Sequence, residues 1–281
     1  MRWRPIEPVD VPRVQVFLTA LSEQLGSEAV GERKQLSLTI HPAGWLVEEA
    51  GDIVGVAPLV EGPSGDTFEL ATQRTEVAER LVDCLLDGHG GEPLRAWSLR
   101  GRHAVVLERA GFTTERTLYQ LGTLLPLEPV EVDGVSYRGF VDGDEARWVE
   151  INNRAFVGHA EQGSLTVEDF RRLMEQDWWE PDGLRLMESG GTVAGSCWTK
   201  VHPGGVGEIY VIGLDPDFHG RGWGKALTLE GLRHLHDDRG CREAILYADA
   251  ANQAAIALYR GLGFEVRHTD SAYVRDQPKL R

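Results

Sequence analysis

A glycine-rich loop, His219-Gly220-Arg221-Gly222-Trp223-Gly224, is the segment of the sequence with the clearest chemical meaning. Glycine lets a backbone approach a ligand closely and adopt unusual dihedral angles. When such a loop opens a helix, its free N–H groups and the positive end of the helix dipole face an anion. Arg221 and Lys225 add positive charge. The loop is therefore predicted to bind a phosphate or pyrophosphate group.

The elements around this loop fit that role. Residues 208–214 are rich in β-branched and aromatic side chains and predict a strand, which Asp215-Pro216 ends because proline cannot continue a central ladder. Apolar residues at helical spacing predict a helix over 225–238. The glycine spacing matches neither the GxxxxGK[ST] loop of nucleotidases nor the GxGxxG turn of dinucleotide-binding proteins. Glycines also serve plain turns, but the order of strand, loop and helix favours an anion site.

Two stretches carry a resemblance to a known superfamily. Residues 215–224 and the segment 252–264, which contains Asn252, Tyr259 and Gly263-Phe264, resemble the GNAT acetyltransferases. That superfamily has a Gln/Arg-x-x-Gly-x-Gly/Ala loop for the pyrophosphate of CoA and an Asn-x-x-Ala-x-x-x-Tyr-x-x-x-Gly-Phe helix. His219 stands where the pattern has Gln or Arg, which is a small departure because the backbone N–H groups make most of the contact.

A closer resemblance adds detail. The segments 151–156, 159–163, 198–202 and 207–213 are similar to the mycothiol synthases, a GNAT family with two tandem domains. The resemblance implies that acetyl-CoA is the co-substrate. It also implies that acetyl passes to the cysteinyl amine of a cysteinyl-glucosaminyl-inositol, a small-molecule acceptor. It covers residues 140–275 and reaches the first half only in outline.

The resemblance assigns roles residue by residue. Glu208 is expected to take a proton from the substrate ammonium, and Tyr259 to protonate the departing thiolate. The residues expected to contact the acceptor are Glu32, Glu161, Lys200, Glu208 and Tyr247. The residues expected to bind acetyl-CoA are Ile212, Gly213, Leu214, His219, Gly220, Arg221, Gly222, Trp223, Gly224, Lys225, Asn252, Gln253, Ala254, Ala255, Ile256 and Ala257.

Each role has a plainer alternative. Glu208 also fits a solvent-facing strand acid, Tyr259 a core tyrosine, and Lys200 or Tyr247 a surface residue; the joint match favours function. Two other functions stay open. One is acetylation of a protein N-terminus or an aminoglycoside, and the other is an acetyl-CoA sensor without catalysis. The presence of both Glu208 and Tyr259 argues against the sensor.

The sequence also contains a repeat. Residues 45–57 and 184–196 each have two apolar runs joined by a glycine-containing turn. Residues 103–112 and 255–264 each predict a short helix stopped by glycine. We therefore predict an α/β (α+β) fold of two tandem GNAT domains, each a mixed, mostly antiparallel sheet flanked by helices. The segment 126–134, with its proline, acid and glycine, places the boundary between domain 1–129 and domain 130–281.

The first domain departs from the pattern at the cofactor loop. The equivalent position, residues 72–79, contains no glycine and two acids, Glu76 and Glu79. We expect this domain to be degenerate, with a structural role and one wall of the acceptor site. The catalytic domain is then 130–281, and one acetyl-CoA is expected per chain.

Bulk properties exclude other classes of protein. A net charge of -15 over 281 residues argues against a nucleic-acid binder. The three cysteines, Cys84, Cys197 and Cys241, are widely spaced and suggest neither disulfides nor a metal site. No apolar run reaches membrane-spanning length and no signal peptide is evident. We therefore expect a cytoplasmic monomer that needs no metal.

Overall fold

The structure is a computed structural model that describes residues 1–62, 65–90, 93–157 and 163–276. Within these residues there are twelve β-strands and eight α-helices. The chain divides into two compact units. Unit 1 contains Met1–Tyr119, Asp249–Ala251 and His268–Arg281, and unit 2 contains Gln120–Ala248 and Asn252–Arg267.

Unit 1 is a helix-flanked sheet. Its elements are β1 (Arg2–Pro5), α1 (Val11–Leu25), α2 (Glu32–Ile40), β2 (Gly44–Glu49), β3 (Asp52–Val60), β4 (Asp66–Glu69), α3 (Thr75–Gly88), β5 (Leu94–Ser98), α4 (Ala104–Arg109), and parts of β6 (Thr113–Leu124) and β12 (Glu265–Arg275). The strands β1 to β4 pair antiparallel in sequence order, β4 and β5 pair parallel, and residues 271–275 of β12 pair antiparallel with β5. One apolar face of α3 supplies much of the core around Phe68 and Leu94.

Unit 2 repeats this plan. Its elements are β7 (Ser136–Arg138), α5 (Glu145–Ala155), α6 (Val167–Met174), β8 (Leu184–Ser189), β9 (Thr192–Val201), β10 (Gly207–Leu214), α7 (Trp223–Arg233), β11 (Glu243–Asp249, of which Asp249 falls in unit 1), and α8 (Gln253–Gly261). The strands β7 to β10 pair antiparallel in sequence order. The pairing of β10 with β11 is parallel.

The two faces of the unit 2 sheet are packed differently. On one face, Trp148 of α5 stacks on Phe170 of α6 with ring centroids 4.2 Å apart, and Trp198 of β9 meets both rings edge-on. On the other face, α7 approaches β9 so closely that a Cβ atom at Gly231 would collide with the Sγ atom of Cys197. This close approach fixes the position of the helix that follows the glycine loop.

The predicted sheet architecture is confirmed, because both units contain mixed, mostly antiparallel sheets with flanking helices. The helix predicted over 225–238 begins at Trp223, since Gly222 adopts a left-handed conformation with φ of 74° and caps it. It ends as an α-helix at Arg233, and residues 234–238 continue as a π-helical turn. The boundary expected between residues 129 and 130 stays a prediction. No helix in the described ranges combines the length and apolar character that a bilayer crossing needs.

The close approach of α7 to β9 yields a stability prediction. Gly231→Ala should lower the free energy of unfolding by about 1–3 kcal/mol, because the added methyl group forces α7 away from Cys197. This loss should exceed the gain of up to about 1 kcal/mol from better helix propensity. Urea unfolding followed by circular dichroism measures the change.

Gly261→Ala is the matched control, because Gly261 also lies in a helix but no heavy atom lies within 4 Å of its added Cβ. This variant should be as stable as the parent or slightly more stable. Equal unfolding midpoints for Gly231→Ala and Gly261→Ala would contradict the close packing of α7 on β9.

Candidate active site

Three strands of unit 2 place the predicted polar side chains on one face of the sheet. Glu208 on β10 pairs with Lys200 on β9 and with Ile245 on β11. Paired residues project to the same face, and so do residues two apart on one strand. Lys200, Glu208 and Tyr247 therefore share the face on which Trp198 packs against α5 and α6.

Glu208 is a buried carboxylate with a specific partner. It is 7% exposed, and its Oε2 atom lies 2.6 Å from the Nε2 atom of His202. A buried carboxylate is costly unless it is hydrogen-bonded or paired. His202 provides that contact from the turn after β9, which hydrogen bonds between His202 and Val206 and between Gly205 and His202 close.

Lys200 lies across the ladder from Glu208. Its Nζ atom sits 4.6 Å from the ring centroid of Trp178 and 5.5 Å from that of Tyr210. Aromatic faces attract a cation electrostatically, and the two rings themselves meet at 4.9 Å. The aromatic pair therefore positions the ammonium group beside the Glu208 face.

The strands β10 and β11 separate partway along their length. Their paired positions run from Gly207 opposite Ala244 to Ile209 opposite Leu246. A bulge between Ile209 and Val211 follows, and β10 continues to Leu214 paired with β9. Within the described residues, the β10 edge that faces β11 has no strand partner beyond Ile209. Every second N–H group there is available to an extended ligand, which fits residues 212–214 as backbone donors.

The end of β10 is fixed by a buried carboxylate. Asp215 is 1% exposed and accepts hydrogen bonds from Arg147 and Arg154 of α5, each at 2.9 Å, and from the Asp217 N–H at 3.0 Å. Burial acts to raise the pKa of Asp215, but the hydrogen bonds and the two arginines outweigh it and hold that pKa below its usual value. Asp215 therefore stays ionised and anchors the chain before the glycine loop.

The loop itself has the geometry of an anion cradle. Gly220 and Gly222 have φ of 77° and 74°, and a Cβ atom at either would meet open space. Helix α7 begins at Trp223, so its first N–H groups point into this loop. The Arg221 guanidinium lies 5.1 Å from the Phe218 ring and 5.0 Å from the Trp223 ring. The exposed Lys225 follows in the first helical turn.

His219 turns back toward β10. Its Nε2 atom lies 3.1 Å from the carbonyl oxygen of Leu214. The side chain thus closes the loop on the strand, and the loop backbone is left for a ligand. This fits the expectation that the first residue of the pattern contributes mainly through its backbone.

The second predicted helix, α8, begins with a side-chain cap. The Asn252 side chain accepts a hydrogen bond from the Ala255 N–H at 3.1 Å. Residues 252–254 and Ala257 are exposed, whereas Ile256 is buried in the core. Tyr259 is 7% exposed and packs 5.8 Å from Phe264. Burial, with a smaller effect of the nearby Cys197 thiol, raises the pKa of Tyr259, so its phenol stays protonated at neutral pH.

Two site residues were missed in the sequence. The Gln120 side chain donates a hydrogen bond to the Tyr247 hydroxyl at 2.6 Å, and the two residues are 127 positions apart. No local pattern could connect them. His202 belongs to the segment 198–202 that resembles the mycothiol synthases, but nothing in that segment indicates its contact with Glu208.

The remaining predicted residues lie elsewhere. Glu32 is the exposed first residue of α2 in unit 1. Glu161 lies outside the described residues. Among the residues that are described, no group of three or more His, Cys, Asp and Glu side chains is arranged to hold a metal ion.

Comparison with known proteins identifies the family. The model of the Acetyltransferase (GNAT) family matches residues 146–264. Proteins named mycothiol acetyltransferase are 41% identical in Pseudarthrobacter chlorophenolicus, over 79% of this chain and 74% of that protein. In Streptomyces coelicolor the identity is 37%, over 95% and 92%. In Saccharopolyspora erythraea it is 41%, over 96% and 89%.

Solved structures share the fold. A GCN5-related N-acetyltransferase from Sphaerobacter thermophilus has a TM-score of 0.75 at 21% identity and covers 99% of this chain and 96% of its own. A tandem GNAT protein from the clavulanic acid biosynthesis pathway has a TM-score of 0.70 at 14% identity and covers 99% of each chain. The chain belongs to the mycothiol acetyltransferases of the GNAT family. The family, fold class and acetyltransferase class predicted from the sequence are thereby confirmed.

The anchoring of Asp215 predicts a pH-dependent loss of stability. Asp215→Asn should lower the free energy of unfolding at pH 7 by about 1–3 kcal/mol, because the variant leaves two arginines without a buried anion. The pKa of Asp215 is lowered by folding, so its contribution is complete above the usual value of 3.8 and is lost as pH falls through the lower folded value. Urea unfolding at several pH values measures the difference.

Asp217→Asn provides the control, because Asp217 pairs with the same Arg154 at 3.0 Å but is 71% exposed. Its unfolding midpoint should match that of the parent. A difference between Asp215→Asn and the parent that grows as pH falls below 3.8 would contradict the anchoring role.

Proposed function

We propose that this chain transfers the acetyl group of acetyl-CoA to the cysteinyl amine of 1-D-myo-inosityl 2-(L-cysteinyl)amido-2-deoxy-glucopyranoside, the last step of mycothiol biosynthesis. The observation that carries the proposal is the position of Glu208. It is a buried carboxylate on the strand that leads into the glycine loop, next to the point where β10 and β11 separate. The relatives named mycothiol acetyltransferase support the choice of acceptor.

The proposed acetyl-CoA site follows β10 into α7. The backbone of residues 212–214 hydrogen-bonds the pantetheine arm and the acetyl carbonyl, and residues 219–225 hold the pyrophosphate. The positive φ angles of Gly220 and Gly222 and the start of α7 support this assignment, since both suit an anion. Residues 252–257, at the exposed start of α8, border the CoA chain.

The proposed chemistry is direct attack of the amine on the thioester. An α-amino group titrates near pH ~8, so a carboxylate such as Glu208 can take its proton, directly or through water. N–H groups at Ile212 and Leu214 stabilise the oxyanion that forms when the amine adds to the carbonyl. Tyr259 then protonates the departing thiolate. Its protonated state at neutral pH supports the role of acid.

The acceptor contacts are proposed to come from both predicted domains. Lys200, Glu208 and Tyr247 share one face of the sheet and offer an ammonium, a carboxylate and a hydroxyl to a hydroxylated sugar and its amine. Glu161 and Glu32 are retained as further contacts on the resemblance alone. The domain 130–281 then performs the chemistry, and the domain 1–129 has a structural role and contributes one wall of the acceptor site.

Two differences support a single acetyl-CoA per chain. In unit 1, only residues 72–74 separate the bridge at Ala71 from α3, and Thr72 bonds the Val54 carbonyl and the Arg74 N–H within this short connection. The parallel position that Glu208 occupies in unit 2 is occupied by Thr67 in unit 1, judged by pairing with the hairpin partners Lys200 and Val60. Unit 1 thus lacks both the loop and the carboxylate.

We further propose that the protein is a cytoplasmic monomer and needs no metal ion. The three cysteines are free and buried, which suits a reducing compartment. The proposed steps require only carboxylate, phenol and backbone groups. A net charge of -15 supports a small-molecule acceptor over a nucleic acid.

Release of free CoA tests the function. The protein with acetyl-CoA should turn over the cysteinyl-glucosaminyl-inositol, and Glu208→Gln should lower kcat by about 10²- to 10³-fold while acetyl-CoA affinity stays unchanged. Glu265→Gln, an exposed strand carboxylate in the same unit, is the control and should retain full turnover. Turnover of a peptide amine or an aminoglycoside with silence toward this acceptor would overturn the proposed substrate. Undiminished kcat in Glu208→Gln would remove Glu208 from the chemistry.

Calorimetric titration tests the cofactor site. One acetyl-CoA should bind per chain, and two would contradict the assignment of unit 1. Gly222→Ala should weaken binding by about 5- to 30-fold, because alanine resists the left-handed conformation by roughly 1–2 kcal/mol. Gly190→Ala is matched, since Gly190 has φ of 59° with open space around its Cβ but lies in the β8–β9 turn. It should lose similar stability and bind acetyl-CoA like the parent.

A further inference from the structure

Acetylation of an ammonium creates a proton that the site must release. At neutral pH the acceptor enters as R–NH₃⁺ and leaves as an amide, so two N–H protons are lost and the thiolate takes back one. One proton per turnover therefore remains on the base. This accounting rests on the proposed function. Since Glu208 is only 7% exposed, the proton needs a route from its carboxyl group to water.

His202 occupies the position that such a route requires. Its Nε2 atom lies 2.6 Å from Glu208 Oε2, and its side chain is 26% exposed. It also lines an open cleft of about 470 Å³, together with Lys200, Val201, Trp178 and His234. One imidazole thus touches both the buried carboxylate and a space large enough for several waters.

The same cleft contains a buried nitrogen atom without a partner. His234 is 2% exposed, and its Nδ1 atom lies 2.9 Å from Asp238 Oδ2. In the part of the chain that is described, its Nε2 atom has no hydrogen-bond partner. Burial lowers the pKa of His234 despite the opposing Asp238 carboxylate, so the ring is neutral at neutral pH. Buried polar atoms are rarely left unsatisfied, so His234 indicates ordered water in the cleft.

We propose that His202 relays the proton from Glu208 to water in this cleft, which makes His202 a positioning and proton-transfer residue for the acetyl transfer. The Glu208 O–H bond breaks as an N–H bond forms at His202 Nε2. The imidazolium then loses a proton to cleft water, and neutral imidazole is restored by exchange with solvent. No oxidant or further reactant is needed. The other charged groups at the cleft are Lys200, Asp177, and Arg239 with its ion-pair partner Glu180.

Substitution of His202 separates proton transfer from orientation. His202→Gln keeps an N–H group for Glu208 but cannot carry a proton, so kcat should fall about 10- to 100-fold, as it should in His202→Ala. Imidazole in solution should restore turnover to His202→Ala, since the cleft admits a molecule of that size. His236→Gln is the control, because His236 contacts only its neighbour Asp237 among the described residues and does not line the cleft. Thermal unfolding and acetyl-CoA affinity should stay at parental values in all three.

A double variant tests whether the two residues act in series. The kcat of Glu208→Gln with His202→Gln should match that of Glu208→Gln alone, because the relay has no proton to carry. An additive loss would overturn the relay, as would parental kcat in His202→Gln. Failure of every imidazole base to restore His202→Ala would reduce His202 to orienting Glu208. These comparisons use whichever amine the parent acetylates, so a wrong acceptor is distinguished from a wrong relay.

Discussion

The separation of β10 from β11 after Ile209 is the constraint on which the site depends. A strand that leaves its neighbour exposes N–H and C=O groups that must find other partners. In this chain β9 continues to pair with β10 as far as Leu214, and the bulge at Tyr210 absorbs the change of direction. The opened edge is therefore rigid on one side and vacant of strand on the other, which is the condition for binding an extended ligand by its backbone groups.

Both ends of β10 are fixed by buried charge, and each end has a different task. At the far end, Asp215 is held by two arginines of α5 and sets the start of the glycine loop. At the near end, Glu208 faces Lys200 across the ladder and contacts His202. Burial of a carboxylate costs free energy unless its partners compensate. The strand thus carries its cofactor contacts between two carboxylates, one ionised for structure and one placed for proton transfer.

Local features of this site could be predicted from the sequence, and distant ones could not. The glycine loop and the Asn252 cap are set within a few residues, so their patterns were sufficient. The Gln120–Tyr247 hydrogen bond joins residues 127 positions apart, and β12 pairs with β5 across a still longer separation. Such pairings depend on which strands become neighbours, and no periodicity encodes that. The contact between His202 and Glu208 depends on how a five-residue turn closes, which glycine content alone does not specify.

The two units show how one fold acquires chemistry at only one copy. In unit 2 the end of the central strand is followed by a long loop and an exposed helix start, which an external anion can fill. In unit 1 the corresponding strand ends at Glu69, whose buried carboxylate accepts the Gly31 N–H at 2.6 Å at the start of α2. Burial raises the pKa of Glu69, against the opposing charge of the buried Lys34. Unit 1 thus satisfies a helix start with its own side chain. The duplicated sheet keeps its architectural role in unit 1, because a helix terminus already occupied by an internal carboxylate has little attraction for a phosphate.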